Sequence, residues 1–222
     1  MADRPRQLPM EFDPVEGFAP EDLVVGETNR AAVKLISRWP DWSSPVIVLA
    51  GPVGSGKSHL ASIWKHRAGA ADFDASNIGE PVLPPSGAAL VEDLGAGALD
   101  ETGLFHLINQ VRTLSGSLLL TSRNFPGAWD VQLDDLASRL KSATTVEIAE
   151  PDDALLAGVI TKLFADRQLE VAPHVVQFLV HRIDRSLAAA ISIVEQIDKL
   201  SLEKKSRVSR ALAADVLAGL ER

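Results

Sequence analysis

Residues 46–58 constrain this chain more than any other stretch. Val46-Ile47-Val48-Leu49-Ala50 is a continuous apolar run without polar alternation, the pattern of a central parallel strand covered on both faces. Gly51-Pro52-Val53-Gly54-Ser55-Gly56-Lys57-Ser58 follows directly and reads G-x-x-x-x-G-K-[ST]. Residues 58–67 then continue at helical spacing, so strand, glycine loop and helix stand in the order a phosphate-binding loop requires. Each position has a physical reason. Gly51, Gly54 and Gly56 let the backbone turn several N–H groups inward around phosphate oxygens. The helix beginning near Lys57 adds its dipole, the Lys57 ammonium reaches β- and γ-phosphates, and the Ser58 hydroxyl is a Mg²⁺ ligand.

Further strand–helix alternation surrounds this unit. Residues 88–91 and 117–121 are short apolar runs that break into polar residues at their C-terminal ends, and 146–148 reads as a last strand. Helical spacing covers 29–38 and 104–114, which predicts a parallel α/β sheet with flanking helices. After Pro151 the pattern changes to four amphipathic helices over 153–164, 173–183, 187–200 and 209–220, a small helical lobe. The organisation read from this is a tail over 1–20, a nucleotide-binding α/β domain over 21–150 and a helical lid over 151–222.

A phosphate loop needs acidic residues at the end of a neighbouring strand. Leu90-Val91-Glu92-Asp93-Leu94 supplies them: Glu92 as the acid that supports Mg²⁺, one methylene longer than the usual aspartate, and Asp93 as the residue that handles the attacking water. Composition narrows the alternatives. The absence of cysteine removes disulfide and thiolate chemistry, no apolar run approaches the roughly 18 residues of a membrane helix, and no secretory signal opens the chain, so a cytoplasmic protein is expected. A net charge of −8 disfavours a protein whose main task is to grip nucleic-acid backbone. The basic group Lys204-Lys205-Ser206-Arg207 reads as a turn between helices.

With these sites in place, residues 20–220 resemble the DnaA/Hda family of AAA+ proteins. The segment Leu23-Val24-Val25-Gly26-Glu27-Thr28-Asn29-Arg30 looks like the family stretch that contacts adenine and ribose, which assigns Val25 to the nucleotide site; an ordinary loop with Asn29 as a helix cap is the other reading. The same resemblance adds Ser55 and His59 to the nucleotide contacts. Leu120-Thr121-Ser122-Arg123 resembles the sensor 1 strand end, with Arg123 where the family has a small polar or acidic group. Leu136-Ala137-Ser138-Arg139-Leu140 is similar to the motif that carries the arginine finger, implying that Arg139 acts in trans on ATP in a neighbouring subunit. Arg182-Ile183-Asp184-Arg185-Ser186-Leu187 resembles sensor 2, implying that Arg185 faces the chain's own nucleotide.

The tail carries one further resemblance. Gln7-Leu8-Pro9-Met10-Glu11-Phe12 is similar to a hexapeptide that docks on the replicative sliding clamp, the β subunit of DNA polymerase III. Gln7 would hydrogen-bond at the pocket edge, Leu8 and Met10 would fill an apolar cleft, and Phe12 would anchor beyond it. The resemblance therefore implies ADP or ATP with Mg²⁺ as cofactors, DnaA and the sliding clamp as partners, and a regulator that stimulates hydrolysis of DnaA-bound ATP with little ATPase activity of its own. It leaves a homo-oligomer open. No helix-turn-helix domain follows the lid in this sequence, so sequence-specific DNA binding is not expected. Two other classes remain in view: a self-contained ATPase that remodels a partner such as a helicase loader, using Glu92 and Asp93 in cis, and a small-molecule kinase, disfavoured because no acceptor-binding motif is present.

Overall fold

A computed structural model describes residues 23–220. Five strands, β1 (Val46–Ala50), β2 (Ala71–Phe73), β3 (Ala88–Leu94), β4 (Ser117–Ser122) and β5 (Thr144–Glu147), form one sheet in the order β2-β3-β4-β1-β5. Every pairing is parallel. The central position of β1 explains its unbroken apolar run: all five residues are buried. Alternate residues point to opposite faces and separate two cores. Val46 and Val48 face one core with Ala89, Val91, Leu118 and Leu120. Ile47 and Leu49 face the other with Leu90 and Leu119.

Each face is covered by its own pair of helices. Helices α1 (Arg30–Ser37) and α2 (Lys57–Ala68) cover one face through Ala32, Ile36, Leu60, Ala61 and Trp64. Helices α3 (Glu101–Thr113) and α4 (Asp134–Lys141) cover the other through Leu104, Leu107, Ile108, Val111, Leu136 and Leu140. Helix α2, which follows the phosphate loop, and α4, which carries Arg139, thus lie on opposite faces of the sheet.

Beyond β5, helices α5 (Asp153–Asp166), α6 (Pro173–Val180), α7 (Leu187–Lys204) and α8 (Arg210–Leu220) enclose a separate core built on Leu156, Ile160, Phe164, Leu179, Ile193, Val194 and Ile197. Local chemistry sets their ends. Asp152 caps α5 by accepting the Leu155 N–H at 2.7 Å, and Ser186 caps α7 by accepting the Ala189 N–H at 3.0 Å. Lys205 closes α7 in the left-handed region, so of the basic group read as a turn Lys204 ends the helix and 205–207 lie in the connection to α8.

The fold departs from the sequence expectations at several elements. Strand β3 runs past Val91 to Leu94, with its register against β4 shifting between these two residues. Strand β5 starts at Thr144, and Ile148 lies just beyond it, its N–H bonded to the Ala50 carbonyl at 2.7 Å. The edge strand β2 and helix α4 are absent from the sequence reading. Asn29 occupies the N-cap position of α1, but its side chain makes no cap bond and turns back instead, accepting the Gly26 N–H and donating to the Val24 carbonyl, both at 2.9 Å.

Candidate functional site

The site forms at the C-terminal edge of the sheet, where the loop after β1, the end of β3 and the first turn of α7 meet. Two of the loop's glycines hold a left-handed backbone, and at Gly51 an ideal Cβ would lie 2.2 Å from the Ile148 carbonyl oxygen. Gly54 has φ +77° and Gly56 has φ +97°, conformations that cost an L side chain steric strain. A side chain at Gly54 would also meet the lid, because an ideal Cβ there lies 2.2 Å from the Ser186 Cβ. This close approach is part of the design: the Leu187 N–H donates to the Gly54 carbonyl at 2.8 Å, fastening the start of α7 to the phosphate loop. Gly54→Ala is expected to cost about 2 kcal/mol or more of stability through its positive φ and this collision, measurable by denaturant unfolding.

Lys57 is the first residue of α2, buried, with its ammonium donating to the Gly51 and Pro52 carbonyls at 2.8 Å each. Burial pushes its pKa below the ordinary lysine range; the nearby Asp93 and Glu92 carboxylates work against that shift and Arg123 adds to it. The loop carbonyls thus hold the cation inside the loop. Beside them, the Ser55 hydroxyl is buried and has no hydrogen-bond partner among the described residues. Ser58 is exposed and His59 half-buried on the first turn of α2.

The end of β3 brings Glu92 and Asp93, both exposed, close enough to Lys57 to act on its charge. Asp93 has φ +55°, and its N–H donates to the fully buried Thr121 hydroxyl at 3.0 Å. Ser122, also fully buried, donates to the Leu94 carbonyl at 2.7 Å and accepts the Asn124 N–H. The end of β4 therefore holds the acidic turn of β3 in place through two hydroxyls. Within the Leu120–Arg123 strand end the fixed contacts come from Thr121 and Ser122, while Arg123, which departs from the family's residue type, is exposed and adds positive charge near Lys57. A hydroxyl pair at the C-terminal end of a buried strand was the available signal.

The remaining residues divide between three places. Val25 is 49% exposed in the segment that Asn29 organises, and the same segment touches α5: a Cβ on Gly26 would lie 3.2 Å from Leu155 Cβ. Arg185, immediately ahead of the Ser186 cap, donates to Asp153 at 2.8 Å. Arg139 lies on α4, on the sheet face opposite α2, with its guanidinium 4.7 Å from the centre of the Phe105 ring. The structure thus gathers Gly51, Gly54, Ser55, Gly56, Lys57, Ser58, Glu92 and Asp93 around one edge and sets Arg139 apart. Gln7, Leu8, Met10 and Phe12 lie outside the described residues.

The donor set fits a nucleotide phosphate group. Two glycines hold the loop open, a buried ammonium lies inside it, a buried hydroxyl lacks a partner, and the N-terminus of a 12-residue helix ends there. Ser58 and Glu92 are the residues that would hold Mg²⁺. Among the described residues no cluster of three or more His, Cys, Asp or Glu forms a self-sufficient metal site, so a metal here would depend on phosphate oxygens as well. No helix among the described residues is long and apolar enough to cross a membrane.

Comparison with known proteins agrees with this geometry. Residues 158–217 match the family model of the Hda lid domain. Domain III of the Thermotoga maritima replication initiation protein DnaA superposes with a TM-score of 0.72 at 19% identity, over 91% of this chain and 96% of that one. AMPPCP-bound DnaA from Aquifex aeolicus gives 0.67 at 22% identity, over 84% of this chain and 65% of that one. The T. maritima RuvB Holliday junction branch migration motor gives 0.65 at 16% identity, over 88% and 70%. The match over 158–217 identifies an Hda-type lid, and the chain as a whole shares the fold of DnaA domain III, parallel α/β layers with a P-loop followed by a helical lid.

Proposed function

We propose that this chain regulates replication initiation: it holds ADP or ATP with Mg²⁺ in its P-loop, docks on the sliding clamp through its N-terminal hexapeptide, and stimulates hydrolysis of ATP held by DnaA. The observation that carries the reading is the position of Arg139 on α4, on the sheet face opposite the P-loop helix α2, in a protein with an Hda-type lid. An arginine on the far layer is suited to a neighbour's nucleotide. Its planar fork can meet two phosphate oxygens at once and stabilise charge that develops there.

The roles of the chain's own residues follow. Nucleotide phosphate would draw the Lys57 ammonium from the Gly51 and Pro52 carbonyls, and the loop amides and Ser55 hydroxyl would supply further donors. Bound Mg²⁺ would neutralise phosphate charge, with Ser58 and Glu92 as its protein ligands. Val25 and the Asn29-stabilised segment would line the base and ribose, with His59 alongside on α2. Asp93 would face the γ-phosphate side, held there by Thr121.

The test is turnover of DnaA-bound ATP with and without this protein and DNA-loaded clamp. Stimulation is expected only when both are present. Replacing Gln7, Leu8 and Met10 together by alanine should abolish clamp co-elution and reduce stimulation by at least tenfold while leaving folding intact, because one polar and two apolar anchors are removed from a short recognition segment. A triple variant that co-elutes with clamp as well as the intact chain would remove the hexapeptide from the account. Rapid steady-state ATP hydrolysis by the isolated chain would favour the self-contained ATPase instead.

A further inference from the structure

Asp153 and Arg185 are 32 positions apart, yet they join the starts of two lid helices. Asp153 is the first residue of α5, and Arg185 directly precedes the Ser186 cap of α7. Arg185 Nη2 donates to Asp153 Oδ1 at 2.8 Å, and His181 Nδ1 lies 4.0 Å from the other carboxylate oxygen. Both helix starts contact segments of the proposed nucleotide site. The α7 start is bonded to Gly54 through Leu187, and α5 packs on the Val24–Gly26 segment through Leu155 and Gly158.

We infer that Asp153 is a positioning residue for Arg185: its carboxylate holds the guanidinium in reserve, and nucleotide phosphate competes with it for the same donors. This rests on the proposed nucleotide site. Three observations favour an exchange over a permanent structural pair. The α5 N-cap bond is made by Asp152, so Asp153 is not needed for capping. Both side chains are about half exposed, 57% for Arg185 and 46% for Asp153, so the pair is solvated and weak, and breaking it leaves no buried charge behind. After the exchange, the Asp153 carboxylate still lies in the first turn of α5, where the helix dipole favours a negative charge, and keeps His181 as a neighbour. Phosphate, with several oxygens, can engage the guanidinium fork more fully than the single contact made here.

The test is calorimetric titration of the full chain with ADP, ATP and adenosine, using Asp153→Asn, Asp153→Glu, Arg185→Gln and the Asp153→Asn/Arg185→Gln double variant. Asp153→Asn should tighten ADP and ATP roughly two- to fivefold, the range expected on removing one exposed ion pair as a competitor, and leave adenosine unchanged. Asp153→Glu, which retains the charge, should bind like wild type. Arg185→Gln should weaken ADP and ATP, and in that background Asp153→Asn should give no gain. Unchanged or weaker ADP binding by Asp153→Asn overturns the inference. So does an equal gain in the Arg185→Gln background, which would reflect bulk charge alone. If wild type binds ADP, Arg185→Gln weakens it and Asp153→Asn has no effect, the nucleotide site stands and only the exchange fails. If wild type binds no ADP, both fall.

Discussion

Lys57→Ala is expected to weaken ADP and ATP binding by on the order of 10²- to 10³-fold, the range for removing one member of a buried, hydrogen-bonded charge pair. The reason lies in where the ammonium already is. It is buried inside the loop, bonded to two carbonyls, and its pKa is lowered because burial disfavours its charge. Phosphate would supply the opposite charge that this environment lacks. Removing the ammonium takes the only lysine from the loop and weakens the positive charge that offsets the Glu92 and Asp93 carboxylates near the phosphate oxygens. Folding should change much less, since the glycine turns and the strand–helix packing do not depend on the ammonium. Equal ADP affinity of variant and wild type in a calorimetric titration would remove the site assignment.

The site was legible in the sequence wherever its chemistry is local. Strand β1, the glycine loop and α2 are adjacent in the chain, and each is enforced by backbone geometry or continuous burial, so residues 46–68 could be read directly. What escaped is tertiary. Helix α4 has eight residues, of which only Leu136 and Leu140 are buried, and Leu133 before it makes no side-chain cap. Two apolar positions four apart give too little periodicity to separate a short helix from a loop. Strand β2 is a three-residue edge strand with no buried residue, so it lacks the apolar run that marked its neighbours. The extension of β3 through Glu92 and Asp93 depends on the Thr121 hydroxyl, 28 positions away from Asp93. Asn29 shows a different limit. Its type suits a helix cap, but the same amide satisfies two backbone groups behind it, and sequence alone cannot rank these. The Arg185–Asp153 pair likewise exists only once α5 and α7 are packed in the lid, and the contact at Gly54 only once the lid meets the phosphate loop.

The second large effect concerns Arg139. Its guanidinium rests on the Phe105 ring, on the layer away from the P-loop helix, so its loss should leave the chain's own nucleotide binding intact. Clamp binding through the tail should also persist. Stimulated hydrolysis should fall by about 10³-fold or more, the contribution of an arginine that stabilises transition-state charge in a partner's site. Arg139→Lys should recover little of this, because an ammonium keeps the charge but loses the planar two-pronged donor geometry. Arg185→Gln should behave differently, weakening the chain's own ADP and ATP binding.

Single-turnover hydrolysis of DnaA-bound ATP, measured with DNA-loaded clamp and either wild-type or Arg139→Ala protein, tests the trans-acting account most directly. The account predicts rapid conversion to ADP with wild type and a rate near the unstimulated value with the variant, at protein concentrations where both bind clamp and nucleotide equally. Matching rates would contradict it, making Arg139 a surface residue packed on Phe105.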